Sequence, residues 1–159
     1  MTLTSAYTYN DGGRADAGYK GLADDCTTRA IAIGTGMPYQ VVYDLVNAYG
    51  ARERRSKHRS SRSGARTGVH IPTIRRIMAE LGWQWTPTML VGQGCKVHLR
   101  ADELPSGNLI VSVSRHMVAM IDGVIHDNHD PSRGGKRCVY GYYCKPDYWE
   151  TFDNAEDYT

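Results

Sequence analysis

The sequence predicts an α+β fold, with helices early in the chain and a mostly antiparallel sheet after them. Three observations carry that expectation. Apolar residues at helical spacing are confined to the first half, up to about residue 82. From Trp83 onward the chain turns to short runs rich in Val, Ile and Tyr. Between two of those runs stands Asp122-Gly123, a dipeptide that favours a two-residue type I′ hairpin. Helices followed by strands point to segregated layers rather than alternating βαβ units. At 159 residues the chain fits one domain, 1–159, able to bury about 68–70% of its unfolded surface.

Each element has its own signal. Residues 1–24 carry Gly, Asp, Ala and Tyr with no period, and read as an extended arm or loop. Cys26 opens a helix whose Ala30, Ile31, Ile33 and small neighbours are apolar almost all round, so the helix is expected to be central and buried. Asp24 or Asp25 suits its N-cap, and "GTG" at 34–36 stops it. A second helix is expected from about Pro38 to Tyr49, with Val42, Leu45, Val46 and Tyr49 on one stripe and Gly50 ending it. A third is expected in "IPTIRRIMAELG", with Ile74, Ile77, Met78 and Leu81 at helical spacing. Between these two helices, "ARERRSKHRSSRSGARTG" holds seven Arg or Lys and reads as a basic, mobile surface loop at about 51–68. The strand candidates are "WQWTPTML", "NLIVSVS", "HMVAMI", "VIHD" and "RCVYGYYC".

Composition excludes some functions. A formal charge of +2 with 23% charged residues is nearly balanced, so any nucleic-acid contact must be local. The N-terminal stretch has neither the apolar core of a secretory signal nor a run long enough to cross a membrane, so a cytoplasmic protein with no membrane partner is expected. In that compartment the four cysteines are expected to include free, metal-bound or catalytic thiols. Cys138 and Cys144 cannot bridge each other along a continuous strand, which would separate them by roughly 20 Å.

The hairpin brings chemistry together. A two-residue turn at Asp122-Gly123 opposes Ile121 to Val124, Ala119 to His126 and Val118 to Asp127. Side chains alternate faces, so His116 and Asp127 become diagonal neighbours about 7–8 Å apart at the backbone, within side-chain reach. His126 points to the other side. A Cys at a helix start, a His and a carboxylate are what a thiol nucleophile requires. Helix amides and an imidazolium stabilise the thiolate, and the carboxylate fixes the imidazole.

"DDCTTRAIAI", followed about ninety residues later by "RHMVAMIDGVIHD", resembles the papain-like cysteine peptidase superfamily, especially its small bacterial and phage members and the leader-cleaving peptidases of bacteriocin exporters. The resemblance implies a papain-like domain and a peptide or protein substrate. It assigns Cys26 as nucleophile, His116 as general base and acid, and Asp127 as orienting group, acting through a thioester without a cofactor. Such enzymes usually carry a Gln a few residues before the Cys as an oxyanion donor. This chain has none there, and Lys20 is the preferred substitute, with Asp25 beside the nucleophile, and Tyr19 or Asn10 as further options.

Other functions are open to the same residues. Transglutaminase, deamidase and acyltransferase chemistry uses the same triad. A non-catalytic binding module is the main alternative, either a degenerate papain fold or a nucleic-acid binder acting through the basic loop with Trp83 and Trp85 stacking on bases. A zinc site from His126, His129, Cys138 and Cys144 is the metal alternative, although the spacings fit no common zinc knuckle.

Overall fold

The helix that Cys26 opens lies at the centre of the molecule because it has no polar face to turn to water. In a computed structural model, which describes residues 6–54 and 61–146, α1 (Cys26–Thr35) buries every residue from Thr27 to Gly34. Around it lie β1 (Ala6–Tyr9), α2 (Tyr39–Ala51), α3 (Ile71–Glu80), β2 (Gln84–Pro87), β3 (Asn108–Val113), β4 (His116–Ile121), β5 (Val124–Asp127) and β6 (Val139–Cys144). The fold is α+β, with three helices and a six-stranded mixed sheet in the order β1-β5-β4-β3-β6-β2. No helix among the described residues is long and apolar enough to cross a membrane.

The sheet is covered on both sides, and this explains its nearly continuous apolar strands. On one side α1, α2 and α3 pack Ala30, Ile31, Val46, Ile77 and Met78 against Ile110 and Met117. A second cluster joins Leu99 and Leu104, from the segment before β3, to Leu109, Val111, Val118, Met120 and Ile125. Fully burying a side chain of this size contributes about 1.5–3 kcal/mol, so the two clusters are the main source of stability.

The β4–β5 hairpin forms in the expected register, with Ile121 opposite Val124 and Ala119 opposite His126. Asp122 and Gly123 both have positive φ, +47° and +79°, as a type I′ turn requires. All neighbouring strand pairs are antiparallel except β1 and β5, which run parallel with Tyr7 beside Ile125 and Tyr9 beside Asp127. The arm read as unpatterned therefore supplies an edge strand.

Two further expectations need correction. Gly50 does not end α2, which runs on to Ala51. A Cβ on Gly50 would sit 2.0 Å from the Ser63 carbonyl oxygen, so glycine is there to admit the crossing backbone. Within the basic stretch, residues 55–60 lie outside the described residues, but 61–68 are not a mobile loop. Buried Glu53 accepts hydrogen bonds from the Ser63 backbone and hydroxyl and from the Thr73 hydroxyl, and the Thr28 hydroxyl donates to the Ala65 carbonyl at 2.8 Å. The four cysteines include free thiols as expected, Cys26 and Cys144, while Cys95 and Cys138 form a disulfide. Backbone bonds from Leu99 to Arg137 and from Val139 to Val97 bring their segments together, a pairing across 43 residues that no local pattern announces.

Candidate active site

Cys26 is the first residue of α1, His116 the first of β4 and Asp127 the last of β5. Because the Asp122-Gly123 turn closes one end of the hairpin, His116 and Asp127 meet at the other. His116 Nε2 lies 2.6 Å from Asp127 Oδ2, which leaves Nδ1 as the ring nitrogen available to the Cys26 thiol. Cys26 and His116 border a cleft of about 620 Å³ whose walls include Val69, Ile71, Arg115, Asn128, His129 and Tyr140, with Asp127 behind His116.

The electrostatics favour a charged pair. Burial pushes the Cys26 thiol up, but the His116 hydrogen bond, the Met117 backbone amide, the His116 charge and Thr27 together bring it below its ordinary value. Burial likewise pulls His116 down, and it is outweighed by hydrogen bonds from the ring to Asp127 and Cys26 and by their charges, which raise the imidazole to about 9. Both shifts act in the direction of thiolate beside imidazolium.

Asp127 is nearly buried, with a side chain only 4% exposed. It is held on several sides. Its Oδ1 accepts from the Asn128 backbone N–H at 2.7 Å and lies 3.6 Å from Arg29 Nη1. Arg29, one helical turn beyond Cys26, also stands 3.4 Å from Asp25 Oδ1. Arg29 is not among the residues to which the sequence motifs assign a role, although a single guanidinium in an otherwise apolar helix is a usable signal. A buried cation needs a counter-charge, and here it has two.

Neither expected oxyanion donor is in position. Asp25 occupies the N-cap position of α1 but makes no side-chain capping bond. Its carboxylate accepts from the Tyr39 hydroxyl at 2.7 Å and pairs with Arg14 and Arg29, so it cannot donate to an oxyanion. Those two cations also offset the negative charge that would otherwise oppose a neighbouring thiolate. Lys20 does not line the cleft, and its carbonyl accepts from Arg66 at 2.9 Å. Nor do Tyr19 and Asn10 line it. Tyr19 donates its hydroxyl to Gln40, and the Asn10 side chain pairs with His126 and the Gly12 amide. The Asp25 side chain makes no capping bond to the first-turn N–H groups of α1, and Cys26 and Thr27 of that turn line the cleft.

The proposed zinc set is dispersed. His126 pairs with Asn10 at 3.2 Å, Cys138 is in the disulfide, and Cys144 is a separate free thiol. His129 instead joins the cleft, its ring centroid 5.1 Å from that of His116. One ligand atom each from His116, Asp127 and His129 lie within 4.8 Å of one another, but a metal held through His116 Nε2 would displace the hydrogen bond to Asp127. Comparison with known proteins adds nothing to this geometry: no family model, no curated protein and no solved structure matches the chain.

Proposed function

We propose that the protein is a cysteine-dependent hydrolase of the papain-like type, acting on a peptide or amide bond with Cys26 as nucleophile, His116 as acid and base, and Asp127 as the orienting carboxylate. The observation that carries this reading is the 2.6 Å contact between His116 Nε2 and Asp127 Oδ2, made by an imidazole that lines the same cleft as a thiol at a helix N-terminus. A purely structural cysteine needs none of these three features.

The chemistry follows from the charges. Thiolate Cys26 attacks the carbonyl carbon, and the negative oxygen that develops is met by the first-turn N–H groups of α1. The His116 imidazolium gives its proton to the departing amine, leaving a thioester and a neutral ring. That ring then takes a proton from water as the water oxygen attacks the thioester, and the Cys26 thiolate is released with the acid product. Asp127 keeps the ring from rotating and stabilises its charged form. The cleft wall at Val69 and Ile71 offers apolar surface for a substrate side chain.

The deciding experiment is mild alkylation near neutral pH with peptide mapping. Selective labelling of Cys26 over Cys144, slowed at least tenfold in His116→Ala, is the expected result. Equal, slow labelling of both thiols would overturn the reading.

A further inference from the structure

The second cysteine centre, remote in sequence from Cys26, has an arrangement that a disulfide alone does not require. Cys95 Sγ lies 3.6 Å from His98 Nε2, and His98 Nδ1 lies 3.2 Å from Glu103 Oε1. An imidazole aimed at sulfur, with its far nitrogen held by a carboxylate, is how histidine is presented to a metal ion. Zinc with bonds of about 2.3 Å to sulfur and about 2.0–2.1 Å to nitrogen sets such ligands roughly 3.5 Å apart in a tetrahedron. The observed 3.6 Å matches that separation.

The third donor is already at hand. Cys138 faces His98 across a β-bridge, and its Cα is 5.8 Å from that of Cys95. The backbone bonds flanking the bridge, Leu99 to Arg137 at 2.9 Å and Val139 to Val97 at 2.8 Å, hold the two segments together without help from sulfur. Cys95 is exposed, which gives an ion a route in and leaves a coordination position to solvent.

We propose that reduction of the Cys95–Cys138 bond creates a tetrahedral site for a thiophilic divalent ion, Zn²⁺ above others, formed by Cys95, Cys138 and His98, with Glu103 orienting His98 and a water as fourth ligand. The disulfide and the metal complex are then alternative states of one centre. In the reducing step a dithiol is oxidised to its own disulfide while the protein S–S bond breaks and each cysteine gains a hydrogen. Binding of Zn²⁺ afterwards displaces those two protons to solvent, and the metal keeps its charge throughout. The site is independent of the proposed Cys26 chemistry.

The test uses full-length protein carrying Cys26→Ala and Cys144→Ser, reduced with a dithiol and desalted without oxygen. Co²⁺ is titrated as a spectroscopic probe, and Zn²⁺ is titrated against a chromophoric chelator. One equivalent of Co²⁺ with a thiolate-to-cobalt charge-transfer band is expected, displaced by one equivalent of Zn²⁺. The oxidised protein should show no such band. His98→Ala should weaken Zn²⁺ binding at least tenfold, and Glu103→Gln about 10–100-fold. No band in the reduced protein would overturn the proposal, and so would affinity unchanged by His98→Ala, which would point instead to His116, Asp127 and His129. Loss of the native circular dichroism on reduction that Zn²⁺ does not restore would overturn it too, since the site depends on the β-bridge persisting without the bond.

Discussion

Arg29 and Asp127 form a buried ion pair, with Nη1 3.6 Å from Oδ1 and side chains 6% and 4% exposed. The pair joins the helix that carries the thiol to the strand that carries the carboxylate. It is therefore the element most exposed to a single charge deletion. Breaking a buried pair by removing one partner typically costs about 3–5 kcal/mol. Arg29→Met is expected at the lower end of that range, because Asp127 keeps His116 and the Asn128 amide. Arg29→Lys should recover part of the loss. Urea denaturation gives the stability, and the rate of Cys26 alkylation in the same variants tells whether Asp127 has also been misaligned.

Cys26 labelling should depend on pH through its partner. The imidazolium lowers the thiol's pKa, so the midpoint of the labelling-rate profile should lie below that of an ordinary thiol. In His116→Ala the thiol should move back up toward its ordinary value of about 8.5, and the midpoint of the rate profile should rise with it. An unchanged midpoint would mean that the helix N-terminus alone sets the thiol.

Asp127→Asn should keep a hydrogen bond to His116 while removing its charge. Since Asp127 raises the imidazole both by hydrogen bond and by charge, the alkaline limb of any hydrolytic activity, expected near pH 9 with Asp127 present, should move down. The same shift bears on stability. A histidine raised from 6.5 to about 9 on folding contributes stability that is full below about pH 6.5 and lost as pH rises through about 9. Urea midpoints across that window should therefore fall less steeply in Asp127→Asn than in the parent.

Gly50→Ala tests the crossing under the cleft wall. The added methyl would meet the Ser63 backbone at 2.0 Å, a contact that no rotamer change can relieve. A loss of about 1–3 kcal/mol is expected from overpacking of this kind, measured by thermal or urea unfolding. No loss would mean that 61–68 is free to move away.

Much of this arrangement was legible because it rests on local signals. The apolar helix after Cys26, the Asp122-Gly123 turn and the period of two along β4 and β5 are each contained in a few residues, and together they forecast that His116 and Asp127 could meet. What was not legible depends on long-range contact. Ala6–Tyr9 pairs with β5 although every residue in it is exposed, so no burial pattern marks it as a strand. Asp25 looked like a helix cap because its position favours one. Tyr39, Arg14 and Arg29 compete for its carboxylate and win, and two of those partners come from other parts of the chain. The Cys95–Cys138 pairing, 43 residues apart, has no local signal for the same reason.

The hairpin also sets an order of assembly. His116 and Asp127 belong to one contiguous β-turn-β unit, and isolated hairpins close in about 1–10 μs. Cys26 can join them only after the chain has threaded α2, α3 and the long segment up to β3, a docking step that contact-order arguments make slower. On the proposed chemistry, the thiol would gain its imidazolium only at that docking step, so its activation would be a property of the folded chain alone.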